Sequence, residues 1–128
     1  MLRTFLALIF LLTSISFVLA DEFSVKEYND FHRVLHQLQH EALPKNDFAT
    51  IRNRAKELIT LGDAIVKLGV PKGTKTENVD NVKKELKTFS EALINYGTAS
   101  EKGSDAELKT SYEAVHERFE ALAEIVER

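Results

Sequence analysis

The sequence predicts an all-α protein, an up-down-up-down antiparallel four-helix bundle that follows a signal peptide. Three observations lead to this prediction. Apolar residues recur at alternating intervals of three and four in four separate segments, and short links containing Pro, Gly or capping residues separate these segments. No stretch alternates apolar and polar residues for long enough to indicate a strand. Because each predicted helix has one apolar stripe, four of them can enclose a single core.

Residues 1–20 are typical of a secretory signal peptide, which we expect to be cleaved before Asp21. Arg3 provides a short basic start, residues 5–12 are apolar and uncharged, and residues 18–20 are small or apolar. The apolar run is too short and wrongly flanked for a membrane span. The alternative is that this segment is retained as an anchor. We therefore expect one helical domain, residues 21–128, in the periplasm or outside the cell, with no membrane span after cleavage.

The composition limits the classes of partner and cofactor. The chain of 128 residues has 17 Lys and Arg, 20 Asp and Glu, and no Cys. Since Arg3 is the only charged residue among the first 20, the mature chain would have 16 basic and 20 acidic side chains. A mildly acidic chain without a concentrated basic face does not favour nucleic acid as a partner. The lack of Cys excludes disulfides, covalently attached haem and thiolate metal sites.

The first two predicted helices are joined by the short link 43–46. A capping box of Ser24 and Glu27 begins the first, and Pro44 ends it. Asn46 or Asp47 caps the second, which stops before residues 70–73. The two apolar stripes consist of Tyr28, Phe31, Leu35, Leu38 and Ala42, and of Phe48, Ile51, Ala55, Leu58, Gly62, Ile65 and Gly69. We interpret Gly62 as a point of close helix packing; room for a ligand is the alternative.

The third and fourth predicted helices each begin with a capping box, Thr74 with Glu77 and Ser104 with Glu107. A turn at residues 97–103 separates the two helices. Their apolar stripes consist of Val79, Val82, Leu86, Phe89, Leu93 and Tyr96, and of Leu108, Tyr112, Val115, Phe119, Leu122 and Val126. Because the links are short, consecutive helices should be antiparallel, and the first and fourth should lie side by side.

Three of the four histidines, His32, His36 and His40, lie one turn apart on the first helix, and His116 follows Glu113 by three residues on the fourth. In a heptad frame, His32 and His116 both take e positions beside the core stripe. These positions face each other between adjacent antiparallel helices. Counting from the paired helix ends places His32 level with His116, and His36 level with Glu113.

These residues form a candidate transition-metal site at the seam between the first and fourth helices. The candidate ligands are His32, His36, His116, Glu113 and, one turn beyond, His40. Imidazole nitrogens together with a carboxylate favour copper or zinc over magnesium or calcium. Since each i+4 step turns by about 40° around a helix, His36 and His40 should turn progressively toward solvent. The alternative interpretation is that all four are ordinary surface histidines.

The sequence favours metal buffering or delivery over catalysis. A ferritin-like di-iron site needs two Glu-x-x-His units, and only the one from Glu113 to His116 is present. The chain has no Gly-x-Ser-x-Gly elbow and no glycine-rich phosphate loop. We therefore predict that it is not an enzyme. Its expected partners are a metal ion and, for delivery, another exported protein.

An exported four-helix bundle with a histidine late in the fourth helix, here His116, resembles the periplasmic cytochromes of the b562 and c-prime type. The resemblance covers residues 21–128 at the level of architecture and implies haem between the first and fourth helices. The chain has no Cys-x-x-Cys-His motif, and its one methionine is Met1. The resemblance therefore implies a non-covalent b-type haem for electron transfer, held by His116 with His32 or His36.

The segment 35–44, which reads LHQLQHEALP, is similar to part of a group of small uncharacterised secreted bacterial bundles, as are Asp47, Phe48 and Ile51 after it. This similarity implies a shared histidine pattern and no known activity. Those proteins often have a second histidine after the Phe of the fourth helix, where this chain has Glu120. A ligand-free structural or protein-interaction bundle is therefore a further alternative to metal and haem binding.

Overall fold

The computed structural model describes residues 23–128, and every regular element in that range is helical. The five α-helices are α1 (Lys26–Gln37), α2 (Phe48–Asn53), α3 (Ala55–Leu68), α4 (Val79–Lys102) and α5 (Asp105–Val126). A π-helical turn, Leu38–Ala42, extends α1, and the 3-10 turns Leu43–Lys45 and Thr76–Asn78 precede α2 and α4. The predicted all-α class is confirmed. The predicted signal peptide, residues 1–20, lies outside the described residues.

The predicted apolar stripes form one core. All five residues of the first stripe are buried, from Tyr28 to Ala42. The other stripes contribute the buried residues Ile51, Ala55, Leu58, Ile65, Val82, Leu86, Phe89, Leu93, Tyr96, Leu108, Tyr112, Val115, Phe119 and Leu122. In the part of the chain that the structure describes, none of the helices combines the length and apolar character needed to cross a membrane.

The predicted second helix is divided into α2 and α3 at Arg54. This residue has φ −98° and ψ 4°, outside the range of a regular helix. Its guanidinium donates to the side-chain oxygen of Gln37, at 2.6 Å, and to the carboxylate of Glu57, at 2.8 Å. Backbone hydrogen bonds continue across the junction, from the Arg54 amide to Thr50 and from the Leu58 amide to Arg54. The division is therefore a kink that neither Gly nor Pro produces.

Two of the predicted helix starts are confirmed. Asp47 caps α2, because its carboxylate accepts from the Thr50 amide at 3.1 Å. Ser104 and Glu107 form the predicted capping box of α5, with both reciprocal hydrogen bonds present. The predicted stop after the second helix is confirmed as well, since α3 ends at Gly69, whose φ of +73° favours glycine.

The other two predicted capping boxes are wrong, because Val25 and Lys75 are the N-cap residues there and neither start has a side-chain cap hydrogen bond. Ser24 donates from its backbone amide and its hydroxyl to the Glu127 carboxylate, at 3.1 and 3.0 Å. The Thr74 hydroxyl donates to the carbonyl oxygen of Pro71 at 2.7 Å. Ser24 thus connects the start of the described chain to the residue that follows α5.

The third predicted turn begins six residues too early, because α4 continues from residue 97 to Lys102 and ends at Gly103. Gly97 is a small residue at a point of close contact, since a Cβ there would lie 3.3 Å from Cδ1 of Ile59.

Arg52 of α2 caps the C-terminal end of α4. Its guanidinium donates to the carbonyl oxygens of Ala99, Ser100 and Gly103 and to the Asp105 carboxylate.

Gly62 of α3 is buried where three helices meet. A Cβ at this position would lie 2.7 and 2.9 Å from the two methyl groups of Leu93 in α4, and 3.2 Å from Cε2 of Phe31 in α1. This space is filled by neighbouring side chains. The interpretation of Gly62 as a close-packing residue is therefore confirmed, and the alternative of room for a ligand is wrong.

Replacing Gly62 by leucine should lower the free energy of unfolding by about 1–3 kcal/mol, because the added side chain overpacks the space beside Leu93. Urea denaturation followed by circular dichroism measures the change. Thr60→Leu is the matched control, since Thr60 is exposed on the same helix and should change stability by no more than about 0.5 kcal/mol. A Gly62→Leu variant as stable as the wild type would contradict the packing.

Candidate functional site

Large aromatic side chains hold α5 against α1. The ring centroid of the buried Phe119 lies 4.8 Å from that of Phe31 and 5.9 Å from that of Tyr28. Further along, the Tyr112 hydroxyl donates to the carbonyl oxygen of Leu35 at 3.2 Å. More extensive contacts join α4 to α5, α3 to α4, and α1 to α3. The helices α1 and α5 thus meet through bulky rings, which leaves space at the surface between them.

That space is a groove of about 490 Å³ between α1 and α5. Two imidazoles, three carboxylates and several apolar groups form its lining, which consists of Phe23, His32, Leu35, His116, Phe119, Glu120, Ala123, Glu124 and Glu127. The groove is open along the surface. It therefore offers both polar ligands and apolar contact area to whatever enters it.

Aromatic contacts position the half-buried His32 at the groove. Its ring lies nearly parallel to Phe119, with centroids 6.1 Å apart and an interplanar angle of 18°. Phe23 meets the same imidazole edge-on, at 5.3 Å and 81°. Neighbours on two sides restrict the rotamers of His32. The imidazole is thus held in place by the packing that joins the two helices.

His116 approaches the groove from α5 together with Glu120. The Nε2 atom of His116 lies 3.4 Å from Oε2 of Glu120, one turn further along the helix. The His116 side chain is 27% exposed and that of Glu120 is 66% exposed, so both can reach a solvent-borne ligand. An imidazole and a carboxylate on one helix face form a pair of potential metal ligands.

The other three sequence-predicted ligands, His36, His40 and Glu113, are exposed and lie outside the groove lining. The ring centroid of His36 is 5.7 Å from that of His32 and 4.2 Å from that of His40. Within residues 23–128, no three His, Asp or Glu side chains are grouped as a metal-ligand set. The structure thus brings His32 and His116 to one groove and leaves the others apart from it.

The carboxylates of the groove were missed by sequence reasoning, which selected Glu113 from its i, i+3 spacing to His116. Glu120, Glu124 and Glu127 line the groove instead. The i, i+4 spacing from His116 to Glu120 is a sequence signal that could have identified Glu120, because such residues share a helix face. Glu127, near the chain end, has no comparable signal.

Tyr28 lies behind the groove lining. Its side chain is fully buried, its ring packs against Phe23 and Phe119, and its hydroxyl has no hydrogen-bond partner among the described residues. Burial raises the pKa of Tyr28 well above its usual range, and the negative charge of Glu127 raises it further. The hydroxyl therefore stays protonated and is an unused donor close to the groove.

Comparisons of the chain with protein-family models, with curated proteins and with solved structures gave no match.

The two buried tyrosines should respond differently to loss of the hydroxyl group. Tyr112→Phe should lower the free energy of unfolding by about 1 kcal/mol, because the bonds to the Leu35 carbonyl and the Gln39 side chain are lost. Tyr28→Phe should leave stability unchanged or raise it, since an unpartnered buried hydroxyl carries a desolvation cost of about 1–3 kcal/mol.

Urea denaturation of both variants in parallel measures this difference, and each serves as the control for the other. An equal loss of stability in the two variants would show that the Tyr28 hydroxyl is bonded after all.

Proposed function

We propose that the protein is an exported transition-metal-binding protein that holds copper or zinc in the groove between α1 and α5, for buffering or delivery rather than catalysis. One observation carries the proposal: His32 and His116, from distant parts of the chain, line the same groove. The Glu120 carboxylate, 3.4 Å from Nε2 of His116, is the third candidate ligand. These three side chains are not grouped as a ligand set among the described residues, so binding one ion requires them to change rotamer. Export is supported by the character of residues 1–20.

The chemistry of these groups suits a borderline divalent ion. On a four-coordinate zinc ion, two imidazole nitrogens and one carboxylate oxygen leave the fourth position for water or for a ligand from a delivery partner. The same three ligands also suit Cu(II). Glu124 and Glu127 add negative charge to the groove, which raises the local concentration of cations. The open groove gives an ion a route in and out, as exchange between proteins requires.

Of the remaining predicted ligands, His36 is the one nearest to this set. Its ring centroid is 5.7 Å from that of His32, but its side chain is exposed and lies outside the groove lining. Glu113 lies outside the groove lining. We therefore assign the carboxylate ligand to Glu120 in place of Glu113.

The proposal includes the architecture in which α2 and α3 act as one kinked helix of an antiparallel four-helix bundle. Hydrogen bonding continues across Arg54, which supports treating the two as one element. The packing of α3 on α1 and α4, and of α4 on α5, is the neighbour pattern of such a bundle. In this architecture, α1 and α5 complete the ring of helices, and the groove marks the seam between them.

A non-covalent b-type haem is the second candidate ligand, because two imidazoles flank a partly apolar groove. Phe31 and Phe119 occupy the space behind it, with ring centroids 4.8 Å apart. Haem between the helices would have to displace these buried rings, whereas a metal ion would not. Absorption in the Soret region after addition of haem distinguishes the two ligands, and a chain that takes up neither is a structural or interaction protein.

Titration of the double variant His36→Ala/His40→Ala tests the groove directly, since its two remaining histidines are His32 and His116. Calorimetry with Cu(II) and Zn(II) near neutral pH should show one equivalent bound per chain with a Kd of about 1 µM or tighter. Acidification to about pH 5 should release the metal, because protons compete for the imidazole nitrogens.

Added substitutions in the same background provide the controls. His116→Ala should weaken binding at least about tenfold, and Glu120→Gln should weaken it less, because an imidazole nitrogen is the stronger ligand for these ions. Glu113→Gln should leave the affinity unchanged. A double variant without saturable binding, or a triple variant with His116→Ala that binds equally well, would contradict the proposed site.

A further inference from the structure

His36 and His40 form a separate pair of imidazoles where α1 passes into the π-helical turn. Their ring centroids are 4.2 Å apart, with an interplanar angle of 36°. Both side chains are exposed, and neither lines the groove. The next imidazole, that of His32, lies 5.7 Å from His36. The structure thus divides the histidine run into one member at the groove and one exposed pair.

The pair lies across the junction between α1 and the π-helical turn, with His36 in α1 and His40 in the turn. His32 and His36 have the same i, i+4 spacing as His36 and His40, but only His40 lies within Leu38–Ala42. Such turns inside helices frequently occur at functional sites.

Two imidazoles are half of a tetrahedral zinc site, which takes four ligands. Within the described residues, no third His, Asp or Glu joins His36 and His40 in a ligand group. Arg33, one turn before His36, is engaged with Asp30 at 3.5 Å. The neighbouring side chains Gln37 and Glu41 are exposed, so the surface around the pair is accessible to another molecule.

We infer that His36 and His40 are a second metal site, which two copies of this chain complete together around one zinc ion. A two-fold axis through the ion would bring the same pair from each copy, giving four imidazole nitrogens. The paired rings on one helix turn supply the local geometry, and the accessible surface allows the approach. This site is independent of the groove, because it shares none of the groove ligands.

Sedimentation velocity of the protein with and without Zn(II) tests this inference. The metal-free chain in a chelator should sediment as a monomer, and Zn(II) should convert it to a dimer that reverts when the chelator is restored. His36→Ala and His40→Ala should each weaken the zinc-dependent association at least about tenfold. Both positions are exposed, so the variants should keep the helical circular dichroism of the wild type.

The variant His32→Ala/His116→Ala separates this inference from the proposed function. It should still dimerise with Zn(II) even if the groove binds nothing, whereas His36→Ala/His40→Ala should stay monomeric even if the groove binds metal. A wild-type chain that remains monomeric at saturating Zn(II) would overturn the inference. Zinc-dependent dimers of His36→Ala/His40→Ala would overturn it as well.

Discussion

The arrangement of the candidate site depends on the packing of Phe119 against α1. Its buried ring meets Phe31 at 4.8 Å and lies nearly parallel to His32 at 6.1 Å. One side chain of α5 therefore sets both the spacing between the helices and the position of an imidazole on α1. Since His116 precedes Phe119 by less than one turn, the same contact brings the second imidazole to the groove. The size of these rings also keeps α1 and α5 apart, which is why the groove lies at this seam.

Apolar periodicity was sufficient to predict the helices, because the residues of each stripe share one helix face and are buried together in the core. The capping motifs predicted the helix starts correctly where the bonding partner lies in the same helical turn, as at Asp47 and at the Ser104 capping box. They failed at Ser24, because α1 has Val25 as its N-cap and Ser24 bonds instead to the distant Glu127 carboxylate. At the kink, the Arg54 guanidinium contacts Gln37 at the end of α1, and the sequence of one segment does not reveal such a contact.

The residues that line the groove were predicted in part for a similar reason. Heptad positions indicate which helix flank a residue occupies, and they placed His32 and His116 on facing flanks. They carry no information on the π-helical turn that contains His40, because that turn breaks the regular helix period. Heptad positions also do not indicate which of several carboxylates on one helix reaches the groove. The sequence therefore points to Glu113, whereas Glu120 lines the groove.

Electron paramagnetic resonance of Cu(II) bound to the His36→Ala/His40→Ala variant tests the groove site most directly. The coupling of the copper electron to nitrogen counts the imidazole ligands, and the account predicts two, reduced to one when His116→Ala is added. Copper that shows no nitrogen coupling in the double variant would contradict the account. So would a spectrum that His116→Ala leaves unchanged, since His32 and His116 would then not share one ion.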